Sequence, residues 1–222
     1  MSMNKSYRDA SELPVVIPVF PLEAALMLPR GHLPLNIFEP RYMAMIDDAL
    51  KADRLIGMIQ PSSAKEPGHA GPPLQPVGCI GRLTQVAETG DGRYVIALTG
   101  IARFRVVEEL STTTPYRQCR VDYSEFSSDF TPRSGEEEVD RESLLKALRA
   151  FAESTRLKID WNAIDSARNE ELVNALAMMS PFGPEEKQAL LEAPTLRARA
   201  DALVAITEFE LARQRNPTTR LQ

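Results

Sequence analysis

The spacing of apolar residues changes near Ser127, and no other feature of the sequence constrains the fold as strongly. Before this point, runs such as residues 93–98 have the period of a strand and are apolar on both faces. After it, Leu144, Leu148 and Phe151 recur at intervals of three or four residues, which is the period of a helix. Strands followed by helices, rather than alternating with them, are typical of an α+β fold.

A polar segment that contains the acidic run Glu136–Glu138 separates the two regions. Because like charges repel and keep a chain solvated, we predict a linker at residues 127–140. The predicted units are then a β domain at residues 13–126 and an α-helical bundle at residues 141–215. One short helix is expected inside the β domain, where Pro40 suits the first turn of a helix.

Prolines and glycines indicate how the β domain is interrupted. The opening strand contains Pro14, Pro18 and Pro21, and it should be an edge or irregular strand because proline cannot donate to the ladder. Residues 61–76 are rich in proline, glycine and serine, which predicts a mobile surface loop. Residues 89–92 (TGDG) favour a tight hairpin turn.

The overall composition limits the class of protein. The chain has 222 residues, of which 43% are hydrophobic and 26% charged, as in folded globular domains. The net charge is -5 and neither half is basic, which argues against nucleic-acid binding. No apolar run approaches the roughly 20 residues that cross a bilayer, and the polar N-terminus does not resemble a secretory signal. With two cysteines and no C-x-x-C pair, we expect a reducing, cytoplasmic location.

Patterns that mark catalytic or cofactor sites do not occur in the sequence. The phosphate-loop pattern G-x-x-x-x-G-K-[ST] is absent, as are G-x-G-x-x-G and G-x-S-x-G. Cys79, Cys119, His32 and His69 lack the spacing of zinc ligands. We therefore predict no catalytic, cofactor-binding or metal-binding residue.

The pattern S-x-x-K occurs twice, beginning at Ser62 and at Ser143. A serine–lysine pair is reactive only if the lysine is desolvated and neutral. Lys65 lies in the predicted loop, and Lys146 flanks the apolar stripe of an amphipathic helix. We expect both lysines to be hydrated and protonated, and neither serine to be a nucleophile.

Several segments, in order and spacing, resemble the N-terminal domain of Lon-type ATP-dependent proteases. They are residues 17–22 (IPVFPL), 33–42 (LPLNIFEPRY), 54–59 (RLIGMI), 77–81 (VGCIG), 90–92 (GDG), 98–104 (LTGIARF), 115–116 (PY) and 184–192 (PEEKQALLE), with Leu196 and Leu203 after them. The resemblance extends over residues 13–213.

The resemblance implies a PUA-like β pseudo-barrel with a short helix, followed by a C-terminal α-helical bundle. It also implies a non-catalytic, ATP-independent module that binds unfolded or exposed polypeptide segments. Such a module would act as an adaptor or holdase in protein quality control, or together with a separate protease or chaperone. The chain ends at Gln222, so we expect a stand-alone protein without the family's ATPase and protease domains.

Polypeptide binding requires an exposed apolar surface. The candidates are Leu26, Met27 and Leu28, three large apolar residues beside a Pro-Arg-Gly turn. Methionine adapts its shape to varied partners. The alternative for these three residues is that they cap the barrel.

Two other functions stay open at this point. One is a small hydrolase or peptidase, for which the sequence shows no acid–base pair. The other is RNA binding through the PUA-like fold, which rests on analogy and runs against the acidic balance.

Overall fold

The computed structural model describes residues 6–62, 71–155 and 159–215. The strands are β1 (Val16–Pro21), β2 (His32–Ile37), β3 (Leu55–Ile59), β4 (Val77–Thr89), β5 (Arg93–Leu110) and β6 (Gln118–Asp122). The helices are α1 (Pro40–Lys51), α2 (Arg141–Thr155), α3 (Trp161–Ser166), α4 (Asn169–Met179), α5 (Pro184–Glu192) and α6 (Leu196–Arg215). Short 3₁₀ turns form at Ala10–Glu12, Ser124–Phe130 and Glu136–Glu138.

The long strand β5 organises the sheet. Its first part pairs with β2 on one side and β4 on the other, and its last residues pair with β6. Because β6 also pairs with β1, β1 with β3, and β3 with β4, these strands close into a ring. The predicted α+β fold with a β pseudo-barrel is confirmed.

The opening strand was predicted to be an edge or irregular strand; it is not at an edge, but it is irregular. Residues Val16 to Pro18 pair with β6, whereas Val19 to Pro21 pair with β3. The change of partner at Pro18 lets a proline-rich strand lie within the ring, because neither neighbour needs an unbroken row of donors from it.

Two apolar clusters lie on opposite sides of the barrel wall. The interior contains Leu13, Ile17, Val19, Leu55, Ile59, Ile80, Ala102, Phe104, Cys119, Val121 and Tyr123. The outer cluster joins residues of the sheet and α1 to residues of the helical region, including Met27, Met45, Leu98, Leu172 and Leu190. The helices therefore cover an apolar face of the sheet.

The acidic segment 127–140 is partly packed. Asp129 and Val139 are buried in it, whereas Glu137 and Glu138 are exposed. The division into residues 13–126, 127–140 and 141–215 stays a prediction, because a shared core does not by itself decide whether the parts unfold together. Residues 63–70 of the predicted loop 61–76 lie outside the described residues.

Substituting Leu148 tests the prediction that its face of α2 is buried. Its side chain is buried and borders a gap of about 20 Å³ with Leu176 of α4 and Leu203 of α6. Leu148→Ala should lower the free energy of unfolding by about 2–5 kcal/mol, because it enlarges that gap. Lys146→Ala, on the exposed side of the same helix, should change it by less than about 0.5 kcal/mol. Denaturant melts measure the free energy of unfolding of both variants. Equal losses would show that the buried face of α2 has been assigned wrongly.

Candidate functional site

The three predicted peptide-binding residues lie inside the protein. Leu26, Met27 and Leu28 are 2%, 1% and 0% exposed, and all belong to the cluster between the sheet and the helices. Binding a polypeptide through them requires exposed side chains, which this conformation does not supply. They pack between the sheet and the helical region rather than in the cluster of the barrel interior, and their role in peptide binding stays a prediction.

Backbone contacts with β5 hold the residues that follow these three. The amide of Arg30 donates to the carbonyl of Gly100 at 2.8 Å, and the amide of Gly100 donates to the carbonyl of Gly31 at 2.9 Å. A Cβ atom at Gly100 would collide with the Leu28 carbonyl oxygen. Glycine at position 100 is thus required by a close approach of two backbones.

Gly100→Ala should therefore displace the loop and lower the free energy of unfolding by about 1–3 kcal/mol, the usual cost of overpacking. Gly90→Ala is the matched control, because a Cβ there meets no atom of the described residues within 4 Å. It should change stability by less than about 0.5 kcal/mol. Denaturant melts compare the two variants. Equal free energies of unfolding would mean that the loop can move away from a Cβ atom at position 100 without loss of stability.

An open groove lies on the protein surface beside this loop, with a volume of about 570 Å³. Its walls are the loop residues Pro29 to His32, the turn at Pro132, and α4. Met178 and Met179 line it, and Met179 is 82% exposed. The groove therefore offers flexible apolar side chains to solvent, next to the loop that sequence analysis singled out.

An ion pair closes one end of the groove. Arg30 pairs with Glu170, and its Nη1 donates to the Asp129 carbonyl at 2.7 Å. The second carboxylate oxygen of Glu170 accepts from the amide of Arg133 at 2.9 Å. Both Arg30 and Arg133 have a positive φ, an uncommon conformation for residues other than glycine. Fixed backbone contacts therefore hold this end of the groove in place.

A second ion pair lies behind the first and is buried. Asp129 accepts from Arg103 through Nε at 2.9 Å and through Nη2 at 2.8 Å. The remaining nitrogen, Nη1, donates to the carbonyls of Leu191 and Ala193 at 3.1 and 2.6 Å. One arginine of β5 thus connects the barrel to the 3₁₀ turn Ser124–Phe130 and to the end of α5.

Arg199 of α6 extends this buried polar layer toward the loop. Its Nε donates to the Leu190 carbonyl at 3.0 Å, and its Nη1 donates to Asn174 Oδ1 at 3.0 Å. Asn174 in turn donates to the Pro29 carbonyl at 3.2 Å. Burial, helped by the charge of Arg103, lowers the pKa of Arg199 to about 10, so it stays protonated at neutral pH.

Sequence reasoning did not identify Arg30, Arg103, Arg199 or Glu170 as members of one cluster. The available signal was a charged residue at position 103 between the apolar residues Ala102 and Phe104, since such a residue is either on the exposed face or buried with a partner.

Asp129→Ala should lower the free energy of unfolding by about 3–5 kcal/mol, because it leaves the charge of Arg103 buried without its partner. Glu125→Ala is the matched control. It removes the carboxylate that pairs with Arg105 at 2.7 Å on the surface, where both side chains are about half exposed. That pair should contribute less than about 1 kcal/mol. Chemical denaturation measures the free energy of unfolding of both variants. Similar losses in Asp129→Ala and Glu125→Ala would contradict the structural role given to Arg103.

Four of the residues considered for nucleophilic or metal chemistry, Cys79, Cys119, Ser143 and His32, are buried or hydrogen-bonded. Burial raises the pKa of the Cys79 thiol, and raises that of Cys119 to about 11, so both stay protonated at neutral pH. The Ser143 hydroxyl donates to Asp140 at 2.7 Å at the start of α2, and His32 Nδ1 lies 3.0 Å from Thr99 Oγ1. His69 and Lys65, the lysine of the pattern that begins at Ser62, lie outside the described residues.

No group of three or more His, Cys, Asp or Glu residues in the described part of the chain is placed to hold a metal ion. None of the helices described combines the length and the hydrophobicity needed to span a bilayer.

Residues 16–208 match the sequence model of a family described as the ATP-dependent protease La (LON) substrate-binding domain. The chain belongs to this family. The match spans the barrel, the groove and most of α6, so the resemblance seen in the sequence is confirmed. The matched residues include the loop at Arg30 and α4, which form walls of the groove.

Individual relatives agree with this assignment. The chain is 31% identical over 198 residues to Lon protease 2 of Myxococcus xanthus, covering 86% of this chain and 23% of that protein. It is 29% identical over 198 residues to the Lon protease of Anaeromyxobacter dehalogenans, with the same coverage. The chain spans about a quarter of the length of these relatives.

Solved structures show the same fold. A Lon N-terminal domain protein from Xanthomonas campestris superposes with a TM-score of 0.62 at 20% identity, covering 86% of this chain and 97% of that one. The N-terminal domain of the Mycobacterium avium complex Lon protease gives a TM-score of 0.63 at 18% identity, covering 87% and 98%. The architecture is therefore that of Lon N-terminal domains.

Proposed function

We propose that this chain binds unfolded or exposed segments of other polypeptides, and that it does so in the groove between the Arg30 loop and α4. The observation that carries the proposal is the exposed Met179, beside the half-buried Met178, on a groove of about 570 Å³ in a member of a substrate-binding domain family. A groove of this size accommodates a few side chains of an extended segment.

The chemistry of the groove suits varied occupants. Methionine is unbranched and polarizable, so it packs against apolar side chains of different shapes. Charged side chains of both signs also line the groove, where they can meet the backbone or the charged side chains of a segment: Arg30, Arg133, Arg168, Glu170 and Glu171. Binding of this kind selects exposed apolar sequence rather than one fixed motif.

No catalytic step is part of this proposal. The chain would act as an adaptor or holdase in protein quality control, in the cytoplasm, alone or with a separate protease or chaperone. The names of the relatives support a setting in ATP-dependent proteolysis. Hydrolase activity and RNA binding find no specific support among the described residues, where the thiols are buried and Ser143 is engaged by Asp140.

Met179→Glu should weaken the binding of an unfolded polypeptide about tenfold or more, because it replaces an apolar contact by a charge that must be desolvated. Phe209→Glu is the matched control, since Phe209 is also a large exposed apolar residue, at 63%, but lies on α6 and does not line the groove. It should change the affinity less than about twofold. Fluorescence anisotropy of labelled, unfolded casein measures both.

Equal losses in the two variants would mean that binding depends on general surface hydrophobicity rather than on this groove. No binding by the unmodified chain would overturn the proposed function. Circular dichroism confirms that each variant is folded before its affinity is measured.

A further inference from the structure

The methionines of this protein differ greatly in their access to solvent. Five of those that the structure describes are buried or half-buried: Met27, Met43, Met45, Met58 and Met178. The sixth, Met179, is 82% exposed and lines the groove. A reagent dissolved in water therefore reaches one thioether of the described residues far more easily than the others, and that thioether lies on the groove.

The two cysteines do not compete with Met179 for an oxidant. A thiol is oxidised through its thiolate, and a thiol that is buried and protonated is inert. Cys79 and Cys119 are both buried, and burial raises the pKa of both thiols. The side chains that an oxidant usually attacks first are thus withdrawn from solvent, which leaves the thioether of Met179.

Met178 lines the same groove but is shielded. It packs so closely against Gly31 that a Cβ atom on this glycine would collide with its sulfur. Its side chain packs against the cluster between the sheet and the helices. Met179, the last residue of α4, belongs to neither apolar cluster. A change at Met179 therefore alters the surface of the groove and leaves the core intact.

Oxidation would change the chemistry of the groove at this position. Hydrogen peroxide transfers one oxygen atom to a thioether: a lone pair of the sulfur forms the S–O bond, the O–O bond breaks, and the peroxide is reduced to water. The product, methionine sulfoxide, is polar where the thioether was apolar. An apolar side chain that packs against position 179 must then take the sulfoxide oxygen out of water, which costs free energy.

We propose that Met179 is a site of reversible oxidation, at which a peroxide lowers the affinity of the groove for polypeptides. This inference rests on the proposed function, because the property that it regulates is polypeptide binding. A methionine sulfoxide reductase reverses the modification. In that step the sulfoxide oxygen leaves as water and a dithiol is oxidised to a disulfide.

The first test is limited treatment of the folded chain with hydrogen peroxide, followed by peptide mapping with mass spectrometry. Sulfoxide should form at Met179 about tenfold faster than at the other five methionines of the described residues, because oxidation follows exposure. Thermal unfolding followed by circular dichroism should not change at this stage. Comparable rates at the buried methionines, or a lowered unfolding temperature, would overturn the assignment of Met179 as the site.

The second test measures the consequence for binding, by fluorescence anisotropy of labelled, unfolded casein. Oxidation of Met179 should weaken binding about three- to tenfold, and a methionine sulfoxide reductase with dithiothreitol should restore it. An unchanged affinity after Met179 is oxidised would overturn this inference and leave the proposed function standing. No binding by the untreated chain would overturn the proposed function, and the regulation with it. The two failures are therefore distinguishable.

Two variants separate oxidation of Met179 from oxidation elsewhere. Met179→Leu keeps an apolar side chain that a peroxide does not oxidise, so treatment should change the affinity of this variant less than about twofold from its own untreated value. Met43→Leu is the matched control, because Met43 is a half-buried methionine of α1 that does not line the groove. It should retain the full loss on treatment.

Met1 and Met3, which lie outside the described residues, are present in both variants. Their oxidation therefore cannot produce a difference between Met179→Leu and Met43→Leu. An equal response of the two variants to peroxide would contradict the role given to Met179.

Discussion

The contact between Arg103 and Asp129 holds the two regions of this protein in one arrangement. Arg103 is 2% exposed, and four of its side-chain hydrogen bonds go to Asp129, Leu191 and Ala193. A buried ion pair gains little over well-packed apolar residues, because both charges must be taken out of water. The ion pair instead fixes orientation. The donors of a guanidinium point in fixed directions, so Arg103 can bind the 3₁₀ turn and the end of α5 in one position only, whereas apolar surfaces can slide past each other.

The groove owes its position to the same strand. Gly100 lies three residues before Arg103 on β5, and its backbone pairs with Arg30 and Gly31 at the edge of the groove. The strand continues to Leu110, where its pairing with β6 closes the ring. One strand thus closes the barrel, carries the buried arginine and fixes the loop. Changes in β5 should therefore affect the groove even where they do not touch it.

Much of the fold could be predicted from the sequence because it depends on local pattern. The hairpin at residues 89–92 and the stripe through Leu148 follow from turn chemistry and helical period. The burial of Leu26, Met27 and Leu28 could not be predicted, because an apolar loop that faces solvent and one that packs against a helix can have the same sequence. The groove unites segments more than 100 residues apart, such as Gly31 and Met178. Only tertiary packing shows that they meet.

The Arg30–Glu170 pair connects the groove to the buried Arg103–Asp129 pair, because Arg30 also donates to the backbone carbonyl of Asp129 at 2.7 Å. Asp129 therefore positions two arginines, Arg103 through its carboxylate and Arg30 through its carbonyl. A substitution that displaces the 3₁₀ turn Ser124–Phe130 should change the position of Arg30, and with it the shape of the groove, although the turn itself does not line the groove.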